Sequence, residues 1–274
     1  MTTVRCLLAV VVTKNWIIHQ LNINNAFLQG DLDEEVYMIP PPEYCPKGET
    51  RAAHSLFTFV TQTNIPIVLV YVEDILVAGN DISQIEVFKS ILSTYFKTKD
   101  LGSLKYFLDL KVAHSPTSIF LNQRKYALDI LFNNGQLDAR IARFPMKQNL
   151  KHTDRDDTLL TDPCTYHRLV GHLIYLTITR PYIVFAVNIL GQFMHAPRVP
   201  YMQVVTRVLC YIKGSPGQDI FFSSSSTLHV TAYTDLDWAN YPTTRRSTIG
   251  YFIQLDTSPI SWRTKKDNSG SFLC

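Results

Sequence analysis

Apolar positions in this chain change period several times, and each change predicts an element. From Thr3 to Ile17 they are nearly continuous, which predicts a buried helix, and Ile17 to Ile23 then reads as a strand, with turn chemistry at Asn24 and Asn25. Two Val- and Ile-rich runs, Ile65–Val72 and Ile75–Ala78, flank the acids Glu73 and Asp74 and predict an antiparallel hairpin with the acids at its tip. Ser83 and Glu86 have capping-box spacing before a helix whose apolar face is Ile85, Phe88, Ile91, Leu92, Tyr95 and Phe96. Residues 119–131 predict a short strand entering a helix that ends at Asn133-Asn134-Gly135. Three more helices follow. The first has the face Tyr166, Leu169, Val170, Leu173 and Ile174, the second starts at Pro181, and the third has the face Val204, Val208, Leu209 and Ile212 and stops at Gly214. After the serines at 223–226, a reasonable seam, three strands are predicted over 228–239, 247–255 and 258–262. The class is therefore α+β.

Composition narrows the setting more than the function. With 274 residues, 46% of them hydrophobic, the chain can bury a sizeable core and is no disordered tail. A net charge of +3 is compatible with a nucleic-acid partner without requiring one. Cys6, Cys45, Cys164, Cys210 and Cys274 are odd in number and widely spaced, which gives neither zinc spacing nor a disulfide framework, so a reducing intracellular compartment, cytoplasmic or nuclear, is expected. Arg5 before the apolar run Cys6–Val12 imitates a signal peptide, but the run is short and no small-residue cleavage site follows. No membrane span is expected either, since no stretch reaches about eighteen apolar residues. His152, His167 and His172 have no Cys or carboxylate at ligand spacing and read as surface or partly buried side chains. Residues 145–162 read as a surface linker.

A rigid hairpin presenting two carboxylates suits an oxygen-preferring divalent ion; the residues alone leave open a solvated acidic turn. Tyr71-Val72-Glu73-Asp74, followed by Ile75-Leu-Val-Ala-Gly-Asn80-Asp81, resembles the metal-binding hairpin of reverse transcriptases from copia-type (Ty1/copia) LTR retrotransposon Pol polyproteins. The resemblance extends over nearly the whole chain. It implies a palm-like sheet with helices over residues 1–112, a thumb or connection-like helical region over 113–222, and a truncated, partial ribonuclease H-like antiparallel sheet over 227–274. It also implies Mg²⁺ or Mn²⁺ as cofactor, an RNA or DNA template-primer as partner, and possible association with intact Pol copies.

Residue by residue, the resemblance implies a catalytic set that this chain only partly keeps. Asp74 is retained, Glu73 stands for the usual first Asp of the pair, and Asn22 occupies the position of the third metal carboxylate. Phe27 matches the aromatic beneath the nucleotide sugar that rejects a 2′-hydroxyl, and Asp235 matches the first metal-binding Asp of the nuclease. Asp109 stands where the family has Gly, Lys111 where it has an acid, and Tyr182 where it has an Asp. Between Pro42 and Phe57 the family carries several tens of residues, including the helix that holds the incoming nucleotide, so an internal deletion is expected. From Lys266 onward the text departs, and the partners of Asp235 are expected to be missing. Three functions remain open: a degenerate reverse transcriptase, a residual metal-dependent polymerase, and a non-catalytic module that binds nucleic acid or Pol.

Overall fold

The computed structural model describes residues 1–23, 56–58, 65–147, 158–237 and 247–266. It is a mixture of helices and antiparallel sheets, divided into two compact units, Val10–Phe107 and Met1–Ala9 with Leu108–Cys274. The division falls inside the first helix, α1 (Thr2–Thr13). Val4, Leu7, Leu8, Ala9, Val11 and Val12 are all buried, as befits a helix that is apolar nearly all round. α1 ends four residues earlier than its apolar run suggests. Asn15 takes a positive φ of 51°, and the Trp16 amide closes back on the Val11 carbonyl at 2.8 Å. An Asn tolerates that conformation because its short polar side chain pairs locally.

The smaller unit is a sheet in the order β2-β3-β4-β1-β5. Its strands are β1 (Ile17–Ile23), β2 (Leu56–Thr58), β3 (Ile67–Tyr71), β4 (Asp74–Gly79) and β5 (Thr98–Ser103). The helix α2 (Ile82–Tyr95) follows β4, and the two-residue β6 (Tyr106–Phe107) closes the unit's sequence. Alternation along the central strands separates two faces. Leu21 and Ile23 of β1, Val68 of β3, and Ile75 and Val77 of β4 pack with Ile85 of α2, and Phe88 and Leu92 lie against them. Gln20, Asn22 and Asp74 therefore belong to the opposite face.

α2 differs from its prediction at both ends. Its cap is Asp81, whose carboxylate accepts the Ser83 amide at 2.8 Å, and Glu86 instead pairs with Lys89. Ile91, Tyr95 and Phe96 are exposed, because the sheet covers only the narrower stripe Ile85–Phe88–Leu92. Lys89 lies almost buried on the same side of the sheet. Its ammonium meets His19 Nδ1 at 2.6 Å, Glu86 at 2.8 Å and Asp100 at 2.9 Å.

The larger unit begins at a turn where Leu108 and Asp109 both have positive φ, 49° and 58°. The glycine position of the resembled family thus does require a left-handed backbone here, and Asp is among the residues that pay least for it. Strands β7 (Leu110–Ser115) and β8 (Ser118–Asn122) lead to helices α3 (Arg124–Asn133), α4 (Pro163–Leu176), α5 (Val184–Gly191) and α6 (Val199–Lys213). β9 (Ile220–Ser223) returns beside β8, and β10 (Val230–Asp237), β11 (Thr248–Leu255) and β12 (Ser258–Lys266) form a separate antiparallel sheet. One core joins the four helices, with Tyr166, Leu173, Val205 and Val208 fully enclosed. Ile174, expected on the buried face, is half exposed, whereas Leu176, which was not, is fully buried.

Two buried guanidiniums tie this unit together. Arg180, just before the 3-10 turn Pro181–Ile183, donates to the Ser215 carbonyl at 2.9 Å, the Pro216 carbonyl at 2.6 Å and the Tyr182 hydroxyl at 3.0 Å. Tyr182 thus serves here as a hydrogen-bond acceptor for a cation. Arg5 of α1 donates to the Ile260 carbonyl at 3.1 Å and the Ile178 carbonyl at 2.6 Å, and lies 3.8 Å over the Trp262 ring. Trp262 in turn donates to the Thr177 carbonyl at 2.9 Å. Burial lowers the Arg5 guanidinium to about 10, still charged at neutral pH.

The Lys89 cluster sets a pH window for the smaller unit. Burial, reinforced by the Lys89 charge, holds His19 below the usual histidine range. Burial acts to raise Asp100, but the Gly102 amide and Lys89 outweigh it and keep that carboxyl low. Burial likewise opposes charging of Lys89, while Glu86 and Asp100 carry it above its ordinary value. A lowered histidine contributes stability above its unfolded value of about 6.5 and loses it as pH falls toward the folded value; a raised lysine loses its contribution as pH climbs past about 10.4. Urea titrations followed by circular dichroism should find greatest resistance between about pH 7 and 10. His19→Gln should flatten the loss between about pH 7 and 5 and leave the alkaline loss intact. An acid loss of equal size in both proteins would assign it to other groups.

Candidate active site

β1 positions the site because it pairs with β4 on one side and β5 on the other. The register places Asn22 opposite Asp74, and directly paired residues of antiparallel strands share a face. Asn22 Nδ2 donates to Asp74 Oδ1 at 3.3 Å, and Gln20 Nε2 donates to the same oxygen at 3.3 Å. Two amides thus converge on one carboxylate oxygen. Gln20, two residues before Asn22 and buried, is the member that sequence reading missed; the period of two, applied backward from Asn22, points to it.

Glu73 and Val72 form the turn of the β3–β4 hairpin, whose last pair is Tyr71 with Asp74. The Glu73 carbonyl accepts the Ile23 amide at 2.8 Å, which ties the tip to the end of β1. Val72 has a positive φ of 55°. For a β-branched side chain that conformation costs on the order of 1–3 kcal/mol, and such strain collects at functional sites. On the other flank Lys99 of β5 stands opposite Asn22 and shares its face. An ammonium there opposes any accumulation of positive charge beside Asn22.

A divalent ion needs oxygens free to ligate, and two ions need several carboxylates. Here Asp74 is already engaged by two amide donors, Asn22 brings no charge, and Lys99 adds a positive one. Among the described residues no group of three or more His, Cys, Asp and Glu side chains is placed to hold a metal ion. The described residues therefore do not fit a pair of divalent ions. Phe27 lies outside the described residues, as do His152 and the stretch from Pro42 to Ser55. His167 contacts the Met194 carbonyl at 2.7 Å and His172 the Tyr126 hydroxyl at 2.7 Å, so both are engaged within the protein. Asp235 sits on β10 opposite Gly250, exposed, in the unit that does not contain Asp74. Cys6, Cys164 and Cys210 are free thiols. Among the described residues no helix is long and apolar enough to cross a membrane.

A family model described as reverse transcriptase (RNA-dependent DNA polymerase) matches residues 1–56 and 48–148. The chain belongs to that family. Its relatives include the retrovirus-related Pol polyprotein from transposon RE1 of Arabidopsis thaliana, 37% identical over 97% of this chain, and that from transposon TNT 1-94 of Nicotiana tabacum, 27% identical over 97%. An uncharacterized mitochondrial protein of Arabidopsis thaliana is 39% identical over 72% of this chain and 82% of its own length. The chain spans about a fifth of the Pol polyproteins it matches. No solved structure matches it significantly. The copia-type resemblance rests accordingly on relatives across nearly its whole length. The alignment with the RE1 polyprotein runs over 301 positions, more than the 274 residues present, so that relative carries residues this chain lacks.

The pairing of Asn22 with Asp74 makes a metal prediction. Titration calorimetry should find at most one weakly bound Mg²⁺ or Mn²⁺, and Asn22→Asp should tighten it about tenfold by adding a carboxylate in direct register with Asp74. Equal affinities in the two proteins would mean that Asn22 does not face the ion.

Proposed function

We propose that this chain is a degenerate copia-type reverse transcriptase fragment that retains the family's scaffold without its catalysis. In this reading residues 1–112 are the remains of the palm and fingers, 113–222 a thumb or connection-like region, and 227–274 part of a ribonuclease H-like domain. The carrying observation is the neutral amide of Asn22 donating to Asp74 where the family holds a third metal carboxylate. Nucleotidyl transfer by the family chemistry uses two metals to activate a 3′-hydroxyl and stabilise the leaving pyrophosphate. Glu73 keeps a charge but moves its oxygens by a methylene, and a displacement of about 1 Å in a catalytic set can cost on the order of a hundredfold. The two-piece family match, with its join at residues 48–56, agrees with loss of the nucleotide-holding segment after Pro42.

The family acts on a nucleic-acid template, and binding of template-primer can outlast the loss of chemistry. That partner is proposed for this chain on the strength of the family and its net charge of +3. Phe27 is proposed as the residue under the nucleotide sugar. Association with intact Pol copies is a further expectation of the same reading.

Primer extension on an RNA template should be absent with any dNTP and either Mg²⁺ or Mn²⁺. If the missing segment is the dominant defect, the double variant Asn22→Asp with Glu73→Asp should stay inactive as well. Extension by the double variant alone would place the whole defect in the metal ligands. Extension by the unmodified chain, abolished in Asp74→Asn, would overturn the degenerate reading.

The nuclease-like part should also be silent, because Asp235 belongs to no group of three or more His, Cys, Asp and Glu side chains placed to hold a metal ion among the described residues. An RNA·DNA hybrid incubated with the chain and Mn²⁺ should remain intact. Cleavage that disappears in Asp235→Asn would show that a working set forms after all.

A further inference from the structure

The larger unit contains a cleft of about 250 Å³ between the β10–β11–β12 sheet and the turn that begins α5. A row of three aromatic rings crosses its floor. Tyr233 pairs with Phe252 and Phe252 with Trp262 in the strand registers, so the three rings share one face. Their centroids are 6.4 Å and 6.5 Å apart, and the Phe252 and Trp262 planes are 28° from parallel. Tyr233 is 55% exposed, an unusual outlay of aromatic surface on a strand.

Two residues along, the same face carries Asp235, Gly250 and Thr264 in register. Gly250 leaves a notch between the other two. A Cβ built there would meet no atom closer than the Asp235 carbonyl oxygen, at 4.0 Å, and the residue has an ordinary φ. Pro181 and Val184 supply an aliphatic wall on the other side. The site is thus bounded by aromatic rings, an aliphatic wall, the Asp235 carboxylate, hydroxyl-bearing side chains and Arg263 at its margin.

That combination defines a ligand class. Aromatic and aliphatic walls favour a flat ring, and the volume lies below the roughly 300 Å³ at which drug-sized pockets begin, so one ring system is the appropriate size. An ionised carboxylate only accepts hydrogen bonds, so the edge of the ring that it meets must donate. Guanine offers two adjacent donors on one edge, adenine a single amino group, and uracil a donor flanked by two repelling carbonyls.

We propose that this cleft binds a nucleobase through its donor edge, guanine in preference to adenine and adenine to uracil, with Asp235 as the acceptor and Tyr233 and Phe252 as the stacking surface. The base can come from a free nucleoside or from an unpaired nucleotide in a strand. Neither source requires a metal, so the proposal stands independently of the lost polymerase chemistry.

Equilibrium dialysis of the full chain against guanosine, adenosine and uridine tests it. Guanosine should bind at least tenfold more tightly than uridine, and Asp235→Asn should erase that preference. Tyr233→Ala should weaken guanosine about tenfold, the loss expected of one base–aromatic stack, and Tyr233→Phe should restore it. Gly250→Val should abolish binding by filling the notch, with the circular dichroism spectrum unchanged. Should that variant misfold, the exposed Tyr233 pair still decides the question. A dT oligonucleotide carrying one dG separates the sources: tighter binding than guanosine, competed by guanosine, assigns a strand, and guanosine binding without oligonucleotide binding assigns the free nucleoside. Equal affinity for guanosine and uridine, or guanosine binding undisturbed in a folded Gly250→Val protein, overturns the proposal.

Discussion

The smaller unit depends on the register of β1. A strand has a period of two, so a slip of one residue would turn Leu21 and Ile23 away from α2 and drive Gln20 and Asn22 into the apolar layer. The slip is opposed from both flanks. β4 and β5 hold β1 over its length, and Lys89 finds its partners His19 and Asp100 only when β1 and β5 are in their observed places. The polar cluster on the α2 side and the amide–carboxylate cluster on the other side are therefore two readouts of one alignment. Asp74 can meet Asn22 because Leu21 and Ile75 are buried together on the reverse face.

This coupling lets position 22 carry a neutral amide while the sheet keeps its shape. Asn at position 22 is nearly isosteric with Asp, and its amide turns a repulsion between neighbouring carboxylates into a hydrogen bond. A set of carboxylates gathered for metal ions repels itself when no ion is bound. An amide at position 22 spares the sheet that repulsion, so fold stability favours Asn beside Asp74. Val72 adds a cost of another kind, since its left-handed conformation is strained backbone at the tip of the same hairpin.

Most of the elements were legible in the sequence because burial imposes period on it. The β3–β4 hairpin, the helix faces of α4 and α6 and the last three strands follow from apolar spacing. What escaped was decided by single polar side chains competing for backbone amides. Asp81 took the cap of α2 that Ser83 and Glu86 seemed spaced to form, and Glu86 pairs with the Lys89 ammonium instead. Asn15 stopped α1 where the apolar run continued. Ile91 and Tyr95 carry the helical period but stay exposed, because periodicity shows what a helix could bury and not how wide its partner is. At the site, the resemblance pointed to Asn22 and Asp74; the strand period would have reached Gln20, whereas Lys99 became visible only through strand pairing.

The Arg5 guanidinium reaches the Ile260 carbonyl across 255 positions of sequence and covers the Trp262 ring. During synthesis, the first helix emerges long before either partner exists. Until the last strand arrives, Arg5 must stay hydrated, and the apolar side of its helix has part of its packing missing. Closing so long a loop is slow compared with forming the local helices between. The larger unit is thus completed only when β12 joins α1, a contact between segments far apart in sequence, and until then the apolar side of α1 is an exposed surface of the kind that invites misassembly.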